Sequence, residues 1–567
     1  MRRLMLCLAV GALLAAGSGA ATAQEAVTVN GVEGMRVVIA PPETPLARLI
    51  KDKLSAAYYG ATPATRAYSN AQKLYYFYGA RHFEPLWLTT AADGTEGFSP
   101  AALKIIDVFK AATSEGFRPS DYLTPAIELS TAGTDPERLA DLETAFSAAT
   151  VHYAHDAYMG RIAPEAVSAN IDPETKRLDT AGLLVKLATS DAPDKVLADL
   201  DPLDPEFAAL KAALAKLNGN DDAPDPVVIP AGKTLKPGMK DARLDLLRQR
   251  LKVPAPEGAD ALVYDPDLVA AVTDFQSGIG ITADGIVGPA TIAALNGGGT
   301  VSREDIVANM ERWRWLPHDL GKLHVLVNIP EFRVSVVDNG TTQFSTRVVV
   351  GKPATPTPIF SNSIKNIVVN PYWNVPTSIV AKEIAPHMVA NPGYLDSQNM
   401  EIVSGARVID ASAIDWSSVT QSNWRYSIRQ RPGGGNALGE VKFLFPNDHD
   451  VYLHDTPSKS LFGTAVRAYS HGCVRVQNPM GFADALLETE PNLNASVLES
   501  MFGPKERWVN LKSHVPVHIA YFTVRVDASG VLHSYGDIYG HNRKLIDLLE
   551  GRGKPAAPSA TPIVSGV

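Results

Sequence analysis

The spacing of hydrophobic residues changes near Lys322, and this change limits the folds open to the chain. Upstream, segments such as PLARLIKDKLSAAYYG and RLADLETAFSAATVHYAHDAYMG repeat apolar residues at every third or fourth position, which is typical of amphipathic helices. Downstream, Leu323, Val325 and Val327 alternate with other residues, and Asp338-Asn339-Gly340 marks a hairpin turn. The pattern predicts a multidomain α+β protein in which helical domains precede a mostly β domain.

The helical part divides at a segment from Asn218 to Gly238, which is rich in Pro, Gly and Asp and follows neither period. We therefore expect a helical domain over residues 43–217, a linker over 218–236 and a small three-helix domain over 237–297. Ser302 followed by Asp305 is a helix-capping pattern and predicts a connecting helix over 301–318. Residues 24–42, which include Pro41-Pro42, are expected to be an N-terminal linker.

The β domain is expected over residues 320–548, with an insertion at about 378–439. The insertion mixes helical and loop signals and contains RPGGGN, whose three glycines would allow it to bend as a lid. Residues 551–567 are rich in Pro, Ala and Ser and are expected to form a disordered tail.

The N-terminus has the pattern of a secretory signal peptide. Arg2 and Arg3 precede an apolar run, and Ala21-Thr22-Ala23 supplies small residues for cleavage. Removal of residues 1–23 would take Cys7 away and, by the loss of two arginines, change the net charge from -9 to -11. This acidic chain has no basic field for nucleic acid. No later apolar run reaches the roughly 18 residues of a membrane helix, so we expect a mature protein without an integral membrane segment, in the periplasm or cell envelope.

Cys473 would then be the single cysteine of the mature chain, so it is an inert buried thiol, an intermolecular partner or a reactive group. A reactive thiol needs a base nearby, because an ordinary pKa of about 8.5 leaves little thiolate at neutral pH. His449, His454 and His471 are close in sequence, and His454 ends the predicted strand VYLH. Gly472 would let its own amide and that of Cys473 converge as an oxyanion hole.

Several motifs resemble those of a known family. HDTP at His454, followed by SHGCVR around Cys473, resembles the signature of the L,D-transpeptidase catalytic domain. ERWRWLP, NPYWNVP, NPGYL and FPNDHDVYLHDTPSKSLF resemble the large periplasmic members, which carry a helical scaffold, a peptidoglycan-binding domain and a lid inserted in the catalytic domain. In residues 237–297, YDPDLVAAVTDFQSGIGITADGIVGPATIAALN resembles the small three-helix peptidoglycan-binding domain, which either binds the wall or serves as a spacer.

The resemblance implies a specific reaction on peptidoglycan stem peptides, without a cofactor or a metal. Cys473 would attack the amide before the terminal D-alanine of a tetrapeptide stem, releasing D-alanine and forming a thioester. The amine of a second stem's diamino acid would resolve it to a 3-3 cross-link. His454 would take the thiol proton and pass it to the leaving amine. Ser470 and His471 would hold the turn, with His471 able to orient the thiol, although some large members have serine there.

For four other residues the sequence allows both a functional and a structural role. Arg475 would bind a stem carboxylate or brace the loop. Tyr372 and Trp373 would line the substrate groove or pack in the sheet core. Asp455 would orient His454 or cap a turn.

The same residues are compatible with four other functions. The histidines and Cys473 would suit a zinc site. A sortase-like transpeptidase also uses histidine, cysteine and arginine, although its arginine lies on a separate strand. A wall-binding scaffold with an inert thiol would have no catalysis at all. Finally, water in place of the acceptor amine would make the protein an L,D-carboxypeptidase.

Overall fold

The computed structural model describes residues 27–30, 36–128, 133–218, 227, 229–230, 232–256, 260–278, 283–288, 291–292, 295, 301–527 and 530–552. The predicted signal peptide, most of the helix expected after Pro289 and most of the predicted tail lie outside these residues. The chain divides into two compact units. One comprises residues 1–109, 120–152 and 179–194, and the other comprises residues 110–119, 153–178 and 195–567.

The first unit is mainly helical, and polar caps begin its first helices: Thr44 Oγ1 accepts from the Ala47 amide at 3.1 Å, and Thr65 Oγ1 accepts from the Tyr68 amide at 3.1 Å. Two of its helices run past the limits of the unit. The helices are Pro45–Gly60, Arg66–Gly79, Pro100–Lys110, Pro125–Glu128, Pro136–Met159 and Thr180–Thr189, and the strands are β1 (Val27–Asn30), β2 (Arg36–Ile39), β3 (Leu88–Thr90) and β4 (Glu96–Phe98).

The expected N-terminal linker is wrong in part, because β1 and β2 pair as an antiparallel hairpin. The Ala40 amide then donates to the Gly79 carbonyl at 2.8 Å. Valine and isoleucine favour strands. The Pro41-Pro42 pair does not prevent the hairpin, because it follows the second strand.

Six further helices precede the β domain in the sequence, and all of them lie in the second unit except for the first two residues of Pro193–Ala198. They are Ala112–Glu115, Pro164–Val167, Pro193–Ala198, Pro205–Asn218, Arg243–Leu251 and Pro266–Gly278. In the small helical region, the side chain of Gln276 is only 1% exposed and ties down the turn that follows. Its Nε2 donates to the carbonyl of Ile286 at 3.0 Å, and its Oε1 accepts from the Gly285 amide at 2.8 Å. The residues that carry the resemblance therefore have a structural use in this region.

The β domain contains a nine-stranded mixed sheet. Its strands are β5 (Leu323–Asn328), β6 (Arg333–Asp338), β7 (Thr341–Gly351), β8 (Phe360–Val369), β13 (Val441–Leu444), β14 (Leu453–His454), β15 (Ala468–Ser470), β16 (Val474–Val476) and β17 (Arg507–Ala520). The strands numbered between β8 and β13 belong to the insertion: β9 (Trp373–Val375), β10 (Met400–Ser404), β11 (Arg407–Ile409) and β12 (Ser427–Gln430). The order is β15-β7-β16-β14-β13-β8-β17-β5-β6, and β6 also pairs with β7. Asn339 and Gly340 have φ values of 48° and 74°, so the predicted hairpin turn is confirmed.

The helix Arg303–Trp315 lies buried against this sheet. Ser302 and Asp305 form the predicted capping box, and the prediction is confirmed. Trp313 stacks on Phe522 with 4.4 Å between ring centroids. The helix therefore anchors the β domain through apolar contacts.

The insertion between β8 and β13 forms its own four-stranded sheet, in the order β11-β10-β12-β9. It has a separate apolar core that includes Val380, Met388, Ile402 and Trp416. Its helices and turns are Thr377–Ile379, Val380–Ile384, Ala385–Ala390, Tyr394–Ser397, Ala411–Ala413 and Trp416–Ser418. A core of this kind gives the insertion a defined shape of its own.

The last described elements are the strands β18 (Val524–Val526) and β19 (Leu532–Ser534) and the helix His541–Leu549. The shorter helices Lys459–Gly463, Pro479–Leu486 and Ala495–Glu499 precede them in the sequence. Within the described residues, none of the helices combines the length and the apolar character needed to cross a bilayer.

Candidate active site

Cys473 lies in a short loop between β15 and β16 that is held by side-chain hydrogen bonds. Gly472 has φ of 127°, a conformation that residues with a Cβ rarely adopt. The Ser470 hydroxyl donates to the Cys473 carbonyl at 2.6 Å and accepts from the Gly472 amide at 3.1 Å. The Thr357 hydroxyl donates to the Gly472 carbonyl at 2.7 Å. These bonds hold the backbone on both sides of the thiol.

The same bonds alter the expected oxyanion hole. Because the Gly472 amide already donates to Ser470 Oγ, it is not free to point at a substrate oxygen. The expectation of a Gly472 donor is therefore wrong in this conformation. Gly472 contributes its backbone angle, and the Cys473 amide remains as the candidate donor.

Residues at the end of β7 support the loop around Cys473 through backbone hydrogen bonds. The Gly351 amide donates to Thr357 Oγ1 at 2.8 Å, and the Lys352 amide donates to the Ser470 carbonyl at 3.0 Å. A Cβ at position 351 would lie 2.2 Å from the Thr355 carbonyl oxygen, so only glycine fits. Sequence reasoning missed this support, because nothing in RVVVGKPATPTP links it to a loop more than 100 residues away.

The thiol of Cys473 is protonated in the resting protein. Its Sγ lies 3.7 Å from the Asp450 carbonyl oxygen. Burial raises the pKa of the Cys473 thiol to about 11, although hydrogen bonds from Tyr452 and the positive charge of Arg475 act in the opposite direction. A preformed thiolate is therefore disfavoured at neutral pH.

The imidazole of His454 is buried and oriented by a backbone carbonyl. Its Nδ1 lies 2.5 Å from the Asp455 carbonyl oxygen. Because a carbonyl only accepts hydrogen bonds, Nδ1 carries the proton and Nε2 keeps a lone pair. Burial lowers the pKa of His454 to about 3, and the positive charges of Arg475 and Lys442 lower it further. His454 is thus neutral at neutral pH, as a general base has to be.

Strand register brings the two groups into one neighbourhood. In the parallel pair β14 and β16, His454 lies opposite Arg475, which is two residues after Cys473. The charge of Arg475 acts on the pKa of both Cys473 and His454. Within the described residues, no hydrogen bond joins the thiol to the imidazole. In apo structures, catalytic hydrogen bonds are often long and tighten only when substrate binds.

Asp455 contributes to the site through its backbone. Its carboxylate accepts from the Glu440 amide at 3.1 Å and from Lys459 Nζ at 2.5 Å. Among the described residues, no hydrogen bond joins this carboxylate to the His454 ring or to the turn before Pro457, so both interpretations of Asp455 stay predictions.

His471 contacts the insertion instead of the thiol. Its Nε2 lies 2.9 Å from Glu383 Oε1 and 3.2 Å from Lys352 Nζ. Among the described residues, no contact links its imidazole to Cys473. The expectation that His471 orients the thiol therefore lacks a supporting contact, and a link between the catalytic loop and the insertion replaces it.

Arg475, Tyr372 and Trp373 differ in their surroundings. Arg475 is half-buried, burial lowers its pKa, and its Nε has no hydrogen-bond partner among the described residues. The Tyr372 ring lies under the Arg429 guanidinium, 4.6 Å from its centroid, whereas Trp373 packs against the core of the insertion. Neither aromatic residue belongs to the core of the nine-stranded sheet.

Two neighbours of the thiol were missed as site residues. Tyr452 lies beside His454, with 5.7 Å between ring centroids, and hydrogen-bonds to Cys473. Lys442 lies opposite His454 in the antiparallel pair of β13 and β14. The alternation of VYLH could have revealed Tyr452, but no sequence signal indicates Lys442. In the same described ranges, no three His, Cys, Asp or Glu side chains converge as metal ligands.

Comparison with protein families gives three matches. Residues 322–491 match the L,D-transpeptidase catalytic domain, residues 72–214 match a scaffold domain, and residues 243–295 match a "putative peptidoglycan binding domain". A curated relative from Haemophilus influenzae, described as "Putative L,D-transpeptidase", is 34% identical over 249 residues. That alignment covers 43% of this chain and 49% of the relative, so the chain spans about half the length of the relative it matches.

Solved structures add low-level likenesses. A crystal structure of an L,D-transpeptidase from Stackebrandtia nassauensis is 14% identical, covers 52% of this chain and 97% of its own, and has a TM-score of 0.20. A second, from Xylanimonas cellulosilytica, is 15% identical, covers 51% of this chain and 98% of its own, and has a TM-score of 0.16. Likenesses of this size support no functional argument.

Proposed function

The chain carries an L,D-transpeptidase catalytic domain beside a scaffold domain and a peptidoglycan-binding domain, and from this premise we propose that it forms 3-3 peptidoglycan cross-links through a thioester on Cys473. The observation that carries the proposal is the pairing of a hydrogen-bonded loop around Cys473 with a buried neutral His454 whose Nε2 is unprotonated. These are the two groups that acyl transfer through a thiol requires.

The resting pair is a thiol and a neutral imidazole, so the thiol proton moves to His454 Nε2 as Sγ attacks the carbonyl of the scissile amide. The amide N–H of Cys473 then faces the developing oxyanion. His454 passes its proton to the nitrogen of the leaving D-alanine, the carbon–nitrogen bond breaks, and a thioester remains. In the second half, His454 takes a proton from the acceptor amine as the amine attacks the thioester carbonyl. It returns that proton to Sγ as the carbon–sulfur bond breaks and the new amide forms.

The other residues have supporting roles. Ser470 and the conformation of Gly472 place the thiol, and Arg475 provides positive charge that favours thiolate character as the proton leaves. Tyr372 lies at the junction of the sheet and the insertion and would border the substrate groove. The insertion acts as a lid that limits access of water, which would otherwise hydrolyse the thioester.

The domain matches indicate a protein of the cell envelope. We propose export through a cleaved signal peptide at residues 1–23, as the sequence predicts. Residues 237–297 would tether the enzyme to the wall and raise the local concentration of stems.

The decisive experiment is product analysis with disaccharide-tetrapeptide and with intact sacculi. The mature protein should release D-alanine and yield 3-3 dimers, and Cys473→Ala should yield neither while keeping the thermal unfolding midpoint of the wild type. Tripeptides without dimers on both substrates would replace the proposal with an L,D-carboxypeptidase. Turnover by Cys473→Ala, or loss of activity with EDTA and its return with zinc, would overturn the thioester mechanism itself.

A further inference from the structure

Five strands of the nine-stranded sheet place a row of side chains on one face beside the thiol. Residues directly opposite one another in paired strands point to the same face. The register across β17, β8, β13, β14 and β16 aligns Trp508 with Val368, Val368 with Lys442, Lys442 with His454 and His454 with Arg475. The row therefore leads from an exposed tryptophan through a lysine to the catalytic histidine.

Lys442 is a buried cation without a bonded partner. It is 9% exposed, and among the described residues no hydrogen bond or ion pair reaches its Nζ. Its ammonium lies 5.7 Å from the ring centroid of Tyr452 and 5.9 Å from that of Trp508. Burial lowers the pKa of Lys442, whereas Glu506 and Cys473 raise it. Placing an ammonium there without an anion is costly.

Glu506, the acidic side chain that acts on the pKa of Lys442, is engaged elsewhere. Glu506 Oε1 accepts from the Tyr372 amide at 2.9 Å, and Glu506 Oε2 accepts from Trp508 Nε1 at 3.1 Å. The carboxylate of Glu506 thus braces the tryptophan. Arg475, at the other end of the row, adds a second cation with an unpartnered Nε. Around the thiol, the row leaves positive charge uncompensated.

We propose that Lys442 binds the terminal carboxylate of the donor stem and thereby selects stems that end one residue beyond the scissile amide. This inference rests on the proposed function of Cys473. The strands of Lys442 and Cys473 are two apart, so their backbones are separated by about 10 Å. A lysine side chain and one terminal residue of the stem together bridge that gap. One more stem residue would move the carboxylate by about 3.5 Å and break the contact.

Tyr452 and Trp508 form the walls of this subsite. Their rings flank the ammonium, and Lys442 is only 9% exposed, a setting that strengthens a charge-assisted hydrogen bond to a carboxylate. Trp508 is 56% exposed, so it lies at the entrance. An aromatic face at the entrance of a cationic pocket suits an extended peptide that ends in an anion.

The test compares a tetrapeptide donor that has a free terminal carboxylate with the same donor as its carboxamide. Acylation of Cys473 is followed by intact-protein mass spectrometry in single turnover. Wild type should prefer the carboxylate donor by about 10- to 100-fold. Lys442→Met should lose that preference by slowing only the carboxylate donor, and Lys442→Arg should keep part of it. Lys512→Met, which removes an exposed lysine from β17, should behave as wild type.

Several outcomes would overturn the inference. An equal loss on both donors in Lys442→Met would mean that the lysine only stabilises the thiolate, and a matching shift in the pH profile of thiol alkylation would show the same. A wild-type enzyme that accepts both donors equally would refute carboxylate recognition even if Lys442→Met failed to fold. Absence of acylation with either donor would instead contradict the proposed function.

Discussion

The protonation state of the resting site can be tested directly, because Cys473 is the single cysteine of residues 24–567. With a pKa of about 11, the thiol is only about 10⁻⁴ thiolate at pH 7. An ordinary cysteine, with a pKa of about 8.5, has about 300-fold more. We therefore expect slow alkylation at neutral pH, with a rate that rises tenfold per pH unit up to about pH 10.

The assay is the rate of iodoacetamide labelling of protein that starts at residue 24, measured between pH 6 and pH 10 by intact mass. Limited access would lower all rates but leave the slope unchanged, so the slope reports protonation alone. His454→Ala serves as the matched variant. Because the pKa of His454 is lowered to about 3, its ring is already neutral over this range, and its removal should leave the slope unchanged while slowing turnover.

A different result would refute this reasoning. A plateau of fast labelling between pH 6 and pH 8 that disappears in His454→Ala would show a preformed thiolate–imidazolium pair. The proton transfer would then precede substrate binding, and the burial of both groups would not control the site.

Two further predictions concern the residues around the thiol. His454→Ala should lower the rate of D-alanine release by about 10² to 10⁴-fold, the usual effect of losing a general base, whereas His471→Ala should cost less; the reverse order would exchange their roles. Gly351→Ala should lower both the unfolding midpoint and the acylation rate, because its Cβ would lie 2.2 Å from the Thr355 carbonyl oxygen. Gly463→Ala is the control, since a Cβ at that position meets nothing within 4 Å. If the two variants behaved equally, Gly351 would not support the loop.

The sequence indicates those features of this protein that depend on local physics. The change of hydrophobic period separates helical domains from a β domain, and the Ser302 cap and the Asn339-Gly340 turn follow from side-chain chemistry within a few residues. The sequence also allowed the candidate nucleophile and base to be predicted, since a lone thiol near histidines has few chemical uses. The N-terminal hairpin was missed because a short run of β-branched residues competes with neighbouring proline signals.

The tertiary structure decided what depends on register and burial. In the folded chain, Lys442 lies opposite His454, and His471 contacts Glu383 of the insertion. The Gly472 amide donates a hydrogen bond to Ser470 within the loop. The sequence alone contains none of these pairings. Pairing partners lie on different strands, and a shift of one residue in register would turn each side chain to the other face. Burial, which sets the protonation of Cys473 and His454, arises only when those strands pack together.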